Sequence, residues 1–204
     1  MLDADRWPWA RFIGPFLVSA GGLVAAVGSW LNWFRIRRRL PGTPVEVVLS
    51  RGFANIDGKL TFVFAVIAVA AGVLIFYFST RRSYLWLGVV ALIAGLWIAG
   101  LSTFDAATPR DRYVDAAAAV ATEQGVPREQ AVTFFRQLVD TGVVTINLQL
   151  GIFLVIAGGI GVILGSVASI LTRPAAQEEE PVAEEPEEEY DYLSDEAESV
   201  YEPE

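Results

Sequence analysis

The chain contains no cysteine and no histidine among its 204 residues. The absence of cysteine excludes disulfides, thiolate metal sites and thiol catalysis. The absence of histidine removes the commonest general base and the commonest metal ligand. We therefore expect no metal and no cofactor.

Four long stretches of the chain contain no charged residue. In agreement with this, the whole chain is 53% hydrophobic and has a mean hydropathy of +0.44. A helix needs about 20 apolar residues to cross the hydrocarbon of a bilayer. The composition therefore fits several membrane spans joined by modest loops. The four predicted spans are Phe12–Trp33, Leu60–Ser79, Tyr84–Leu101 and Val144–Leu171.

The first of these stretches has a second interpretation. Arg6 and Arg11 precede it, and a basic start before an apolar run also describes a signal peptide, with Ala26-Val27-Gly28 as the cleavage site. The run is long for that purpose, and its tryptophans are typical of a membrane interface. We expect a retained span.

The connecting segments have distinct characters. Residues 1–11 form a short N-terminal segment, and residues 80–83 form a tight turn that forces the second and third spans to lie antiparallel. Phe34–Lys59 begins with alternating apolar and basic residues and continues with turn-forming residues and a second β-rich stretch, which predicts a hairpin of two short strands. Ser102–Val143 carries signals for two helices, Pro109–Glu123 and Pro127–Asp140. The predicted fold is an all-α membrane protein, a left-handed four-helix transmembrane bundle with a small β-hairpin in the first outer loop and a helical second outer loop.

Glycines recur in the spans at intervals of seven residues. This spacing keeps small side chains on one seam of a left-handed helix pair, where backbones approach closely. Gly161 and Gly165 also form a GxxxG motif, which serves either a homo-oligomer contact or packing within the bundle. The predicted helix-packing residues are Gly14, Gly21, Gly28, Gly72, Gly88, Gly95, Gly151, Gly158 and Gly165.

The net charge of −9 is concentrated at one end of the chain. The last 27 residues hold 14 of the 24 acidic residues and no basic ones, which leaves ten acidic against 15 basic residues elsewhere. We expect residues 172–204 to form a disordered acidic tail that either docks on a basic partner or only solubilises the protein. Four of its side chains are candidates for phosphorylation: Tyr190, Tyr192, Ser194 and Tyr201.

The orientation signals conflict. Ten basic residues lie in the two long loops against five near the termini and the tight turn, but the positive-inside rule applies best to short segments. We follow the tight turn and predict cytoplasmic termini in the cell membrane, although the basic run Arg35–Arg39 argues against it. The predicted interface anchors are Trp30, Trp33, Lys59, Arg81 and Arg82.

Two short motifs carry a resemblance. Trp30-Leu31-Asn32-Trp33, Asp57-Gly58-Lys59 and a glycine-rich fourth span resemble a group of small uncharacterised four-span bacterial membrane proteins, which often have proline at the position of Asn32. The resemblance covers residues 28–166 and implies no activity. The layout is also similar to that of claudin-like tetraspan proteins, but the cysteine pair of that family's first loop is missing, so the similarity is one of architecture alone.

Three classes of function remain. The outer acidic residues show no spacing that singles out a catalytic pair, so we expect no enzyme activity. A transporter usually places ionisable residues at the middle of the membrane, and the four spans contain no charged residue. The favoured hypothesis is an interaction or scaffolding component of a bacterial cell envelope, and the alternative is a subunit of an oligomeric channel or transporter. The expected partners are the lipid bilayer, a protein bound through the outer loops or the tail, and a further copy of the chain, but not nucleic acid.

Overall fold

Four helices of the computed structural model, which describes residues 10–39, 42, 44–78 and 84–172, are long and apolar enough to cross a membrane. They are α1 (Ala10–Trp30), α2 (Ile56–Tyr77), α3 (Tyr84–Ala107) and α6 (Leu150–Leu171). Each helix packs against two neighbours, which gives the ring order α1-α2-α3-α6. The predicted class, a membrane protein built on a four-helix bundle, is confirmed.

A sheet and two helices cover one end of the bundle, and we call these five elements the cap. The sheet contains β1 (Asn32–Arg38), β2 (Glu46–Arg51) and β3 (Val144–Leu148), all antiparallel, in the order β2-β1-β3. The two cap helices are α4 (Pro109–Glu123) and α5 (Arg128–Asp140). A short 3₁₀ helix, Gly52–Ala54, leads from β2 towards α2.

The third strand corrects the sequence-based boundary of the fourth span. That span was expected to begin at Val144, but Val144–Leu148 pairs with β1 and the helix begins only at Leu150. Backbone bonds of 2.8 Å from Arg39 N to the Val143 carbonyl and from Gln149 N to the Trp33 carbonyl flank this pairing. The segment is rich in β-branched residues, which favour a strand once a partner edge is present.

The other helix ends also differ from the predicted ones. The helix α1 ends at Trp30 because the chain enters β1 at Asn32. The helix α2 begins at Ile56, four residues before the predicted start, and α3 continues to Ala107. Both extensions add an acidic residue, Asp57 or Asp105, at the cap end of the bundle.

The two faces of the sheet have different surroundings. Ile36, Val144 and Ile146 belong to an apolar cluster with residues of α4 and α5, so this face is covered by the cap helices. Side chains alternate along a strand, which places Arg35 and Arg37 on the opposite face. We call that opposite face the basic face.

Candidate functional site

The closest helix contact runs along the glycines of α1 and α6. A Cβ added to Gly21 would lie 2.7 Å from the carbonyl oxygen of Gly158, and one added to Gly158 would lie 2.5 Å from that of Gly21. Gly14 meets the backbone of Gly165 in the same way, and Gly28 meets that of Gly151. The two seven-residue rows therefore face each other, and neither backbone leaves room for a side chain.

The remaining predicted packing glycines contact other helices. Gly72 of α2 lies against Ser19 of α1, while Gly88 and Gly95 of α3 lie against α6. All nine predicted glycines are buried. Of the GxxxG pair, Gly165 contacts α1 directly and a Cβ on Gly161 would lie 3.5 Å from Gly21, so this motif packs inside the bundle.

The interface role predicted for Trp33 is wrong. Its side chain is 0% exposed and its indole Nε1 donates a 3.0 Å hydrogen bond to the carbonyl oxygen of Gly28. A Cβ on Gly52 would collide with the Trp33 ring, and one on Gly58 would collide with the Gly52 backbone. Trp33 therefore fills the joint between the bundle and the sheet, and the glycines around it make the space.

Trp30 and Lys59 occupy positions suited to anchors. Trp30 is 55% exposed, stacks on Phe53 with ring centroids 4.8 Å apart, and meets the edge of Phe62. Lys59 is exposed near the start of α2. The other predicted anchors and all of the candidate phosphorylation sites lie outside the described residues: Arg81, Arg82, Tyr190, Tyr192, Ser194 and Tyr201.

An ion-pair cluster joins the cap to the bundle. Nη2 of Arg112, in the first turn of α4, lies 2.8 Å from Oδ2 of Asp57 and 2.9 Å from Oδ1 of Asp105. The guanidinium also lies 5.3 Å from the ring centroid of Phe104.

Burial differs strongly across this cluster. The Asp105 side chain is 6% exposed, that of Asp57 is 23% exposed and that of Arg112 is 44% exposed. A buried carboxylate needs a compensating charge, and one half-exposed arginine supplies it to both acids. The arrangement fixes α2, α3 and α4 to one another.

The sequence did not reveal this cluster. Asp57 and Asp105 are among the outer acidic residues, whose spacing pairs no two of them, and Arg112 is one of the ten basic residues of the two long loops. Asp105 and Arg112 are seven residues apart, which is two helical turns, but Pro109 interrupts that helix. Asp57 comes from the other loop, so its proximity follows only from the fold.

The basic face presents two arginines of the central strand, Arg35 and Arg37. Arg35 on the central strand lies between Leu49 of β2 and Asn147 of β3, and Arg37 lies between Val47 and Thr145. Leu49 is 52% exposed and Val47 is 43% exposed. The residues that surround Arg35 and Arg37 on this face include no acidic side chain.

The arginines of this face have no acidic partner among the described residues. Among the described residues, neither Arg35 nor Arg51 has a carboxylate within ion-pair distance. The Nε atom of Arg35 is buried and also has no hydrogen-bond partner there. Arg38, on the opposite face, also has a buried Nε without a hydrogen-bond partner there, but its Nη1 lies 3.7 Å from Oε2 of Glu46. The basic face thus carries uncompensated positive charge.

No protein-family model matches the chain, and a search of the curated proteins finds no match either.

Proposed function

We propose that the chain is an integral membrane interaction or scaffolding component of a bacterial cell envelope, without catalytic activity. The cap is its main contact surface and the acidic tail is a second one. The observation that carries this proposal is the construction of the cap: strands from both loops form one sheet, and α4 and α5 pack on it as a single body. A preformed surface of this kind lowers the entropic cost of binding a partner.

The distribution of charge in the spans supports an interaction role over conduction. Within the described parts of the four helices, the charged residues beyond the first turn of α1 lie at the cap end, and they are Asp57, Lys59 and Asp105. Charged side chains that line a transport pathway are usually found near the middle of the bilayer. The middle of this bundle instead holds alanine, valine and isoleucine side chains.

The cap also exposes an apolar group suited to a protein contact. Phe134 on α5 is 56% exposed and meets the edge of Phe135, which is partly buried against the cap core. Exposed aromatic residues supported by a rigid surface are common at interaction hot spots.

A photoreactive phenylalanine analogue at position 134 tests the proposal in intact cells. We expect a discrete adduct of reproducible mass from position 134. The matched control is the same analogue at Leu164, which is 59% exposed on α6 and should face lipid. Equal labelling from both positions, or no protein adduct from position 134 or from any other exposed cap position, would contradict an interaction role for the cap.

We further propose that the termini are cytoplasmic and that the cap lies on the outer side of the cell membrane. Since the chain has no cysteine, one introduced at a time gives an unambiguous label. Cysteine at Gln130 on α5 should react with a membrane-impermeant maleimide in intact cells, whereas cysteine at Ser194 should react only after lysis. The reverse pattern would place the cap in the cytoplasm.

A channel or transporter subunit is the alternative function. The observation in its favour is a short run of buried polar residues near the cap end of α2 and α3, formed by Thr61, Ser102 and Asp105. The Thr61 hydroxyl has no hydrogen-bond partner among the described residues. Saturable ion or solute flux in proteoliposomes, abolished by Thr61→Val, would favour this alternative.

A further inference from the structure

We infer that Arg35 and Arg51 form a binding site for the phosphate headgroup of an anionic phospholipid in the leaflet on the cap side. This inference goes beyond the proposed partner role and holds whichever compartment the cap faces. It rests on the height of the two arginines above the bundle, the direction in which they face and the absence of a compensating acid.

The height follows from the register of the sheet. Arg51 pairs with Asn32, which is two residues beyond Trp30 at the end of α1. Arg51 is therefore at the level where the chain leaves the hydrocarbon. The register shifts by one residue between Asn32 and Phe34, and Arg35 pairs with Leu49, two residues from Arg51 on β2, so Arg35 lies about 7 Å further from the bundle at the usual rise of an extended strand. Both arginines lie within about one to two Debye lengths of the lipid phosphates, where surface charge still attracts them.

The direction follows from the packing of the cap. The chain enters β1 directly from α1 and passes from β3 into α6, so the sheet lies above these two helices. The helix α4 follows α3, which is diagonally opposite α1 in the ring. Because α4 and α5 cover the face that bears Ile36 and Ile146, the basic face is turned away from the centre of the bundle. The basic face is therefore directed towards the lipids that surround α1.

The chemistry of the neighbouring side chains fits an interfacial ligand. Arg35 and Arg51 are both neighbours of Leu49 on the basic face, since Arg35 pairs with Leu49 across the strands and Arg51 is two residues beyond Leu49 on β2. Leu49 and the nearby Trp30 are both more than half exposed, as is usual for groups that contact the acyl and headgroup boundary. Asn147, opposite Arg35 on β3, adds an amide donor. Guanidinium groups bind phosphate oxygens in a bidentate geometry, so two of them can hold one headgroup.

The test is a lipid titration of the full chain in detergent, followed by native mass spectrometry. The probes are phosphatidylglycerol and phosphatidylcholine. We expect phosphatidylglycerol to bind more tightly, and Arg35→Gln with Arg51→Gln to weaken it by about 20- to 30-fold, since each surface arginine contributes about fivefold. Phosphatidylcholine binding should not change.

The matched control removes the same charge elsewhere on the cap. Arg128→Gln with Arg136→Gln alters two exposed arginines of α5 that have no ion pair among the described residues. This variant should bind phosphatidylglycerol like the wild type. An equal loss in the control, or no loss in the Arg35 and Arg51 variant, would overturn the assigned site.

Three further measurements keep the inference falsifiable if the double variant fails to fold. The wild-type affinity for phosphatidylglycerol should fall steeply between about 0.05 and 0.5 M salt, because a partly exposed charge pair is screened, and a flat salt dependence would contradict the inference. Arg35→Lys with Arg51→Lys keeps the charge but loses the bidentate geometry, so it should bind phosphatidylglycerol more tightly than the glutamine variant and less tightly than the wild type. Displacement of the lipid by millimolar inorganic phosphate would assign the site to a soluble anion instead.

Discussion

Arg112 and Asp105 form the contact that fixes the cap helices to the bundle: Nη2 of Arg112 lies 2.9 Å from Oδ1 of Asp105. Asp105 lies in the last two turns of α3 and Arg112 in the first turns of α4. Between them the chain turns at Thr108, whose hydroxyl donates a 2.8 Å hydrogen bond to the Phe104 carbonyl. The ion pair spans this turn, and the second acid, Asp57, extends the contact to α2.

The first prediction concerns this cluster. Arg112→Gln leaves the buried Asp105 carboxylate without a compensating charge and should lower the free energy of unfolding by about 1–3 kcal/mol, less than for a fully buried pair because Arg112 is half exposed. Thermal unfolding in detergent measures the effect. Arg110→Gln is the control, since Arg110 is exposed and has no ion pair among the described residues. Equal stability of the two variants would show that the cluster is not a structural clamp.

The second prediction concerns the α1–α6 contact. Gly21→Ala puts a methyl group 2.7–2.8 Å from backbone atoms of Gly158 and Val162, which cannot move independently of α6. We expect a loss of about 1–3 kcal/mol from the resulting helix displacement. Gly100→Ala on α3 is the matched control because nothing lies within 4 Å of the added Cβ. It should be neutral or stabilising by up to about 1 kcal/mol, since alanine is the better helix former.

The third prediction separates the two tryptophans of the Trp-Leu-Asn-Trp motif. Trp33→Phe removes the indole donor to the Gly28 carbonyl and leaves space in a fully buried site, so we expect a loss of about 1–2 kcal/mol. Trp30→Phe keeps a ring against Phe53 at a half-exposed site and should cost less than about 0.5 kcal/mol. Similar losses in both variants would mean that the two residues have equivalent roles.

Hydropathy and helical periodicity were sufficient to predict the bundle. Four uncharged stretches of spanning length allow few other arrangements in lipid, and glycines seven residues apart mark the surfaces that must touch. The prediction failed where residues distant in sequence meet. Val144–Leu148 is apolar enough to extend a span, and only the free edge of β1 makes it a strand.

The same limit applies to the candidate site. Trp33 has the residue type of an interface anchor, and its burial depends on Gly52 and Gly58 from the other side of the first loop. Arg112 gave no local signal because its partners come from two different helices. Pairing between distant segments depends on tertiary contacts, which one sequence does not encode in any periodic pattern.

The last prediction tests the strand pairing that joins the two loops into one cap. Arg37 lies directly opposite Thr145, so their Cβ atoms should be about 4.5–5.5 Å apart, within reach of a disulfide after modest adjustment. Arg37→Cys with Thr145→Cys should oxidise rapidly, and the absence of other cysteines excludes competing disulfides. The control pair, Arg37→Cys with Asn147→Cys, is diagonal on the same face and about 7–8 Å apart, so it should oxidise slowly. Faster oxidation of the control pair would indicate that the register of β3 differs by two residues from the one described. Failure of both pairs to oxidise would mean that the second loop does not complete the sheet.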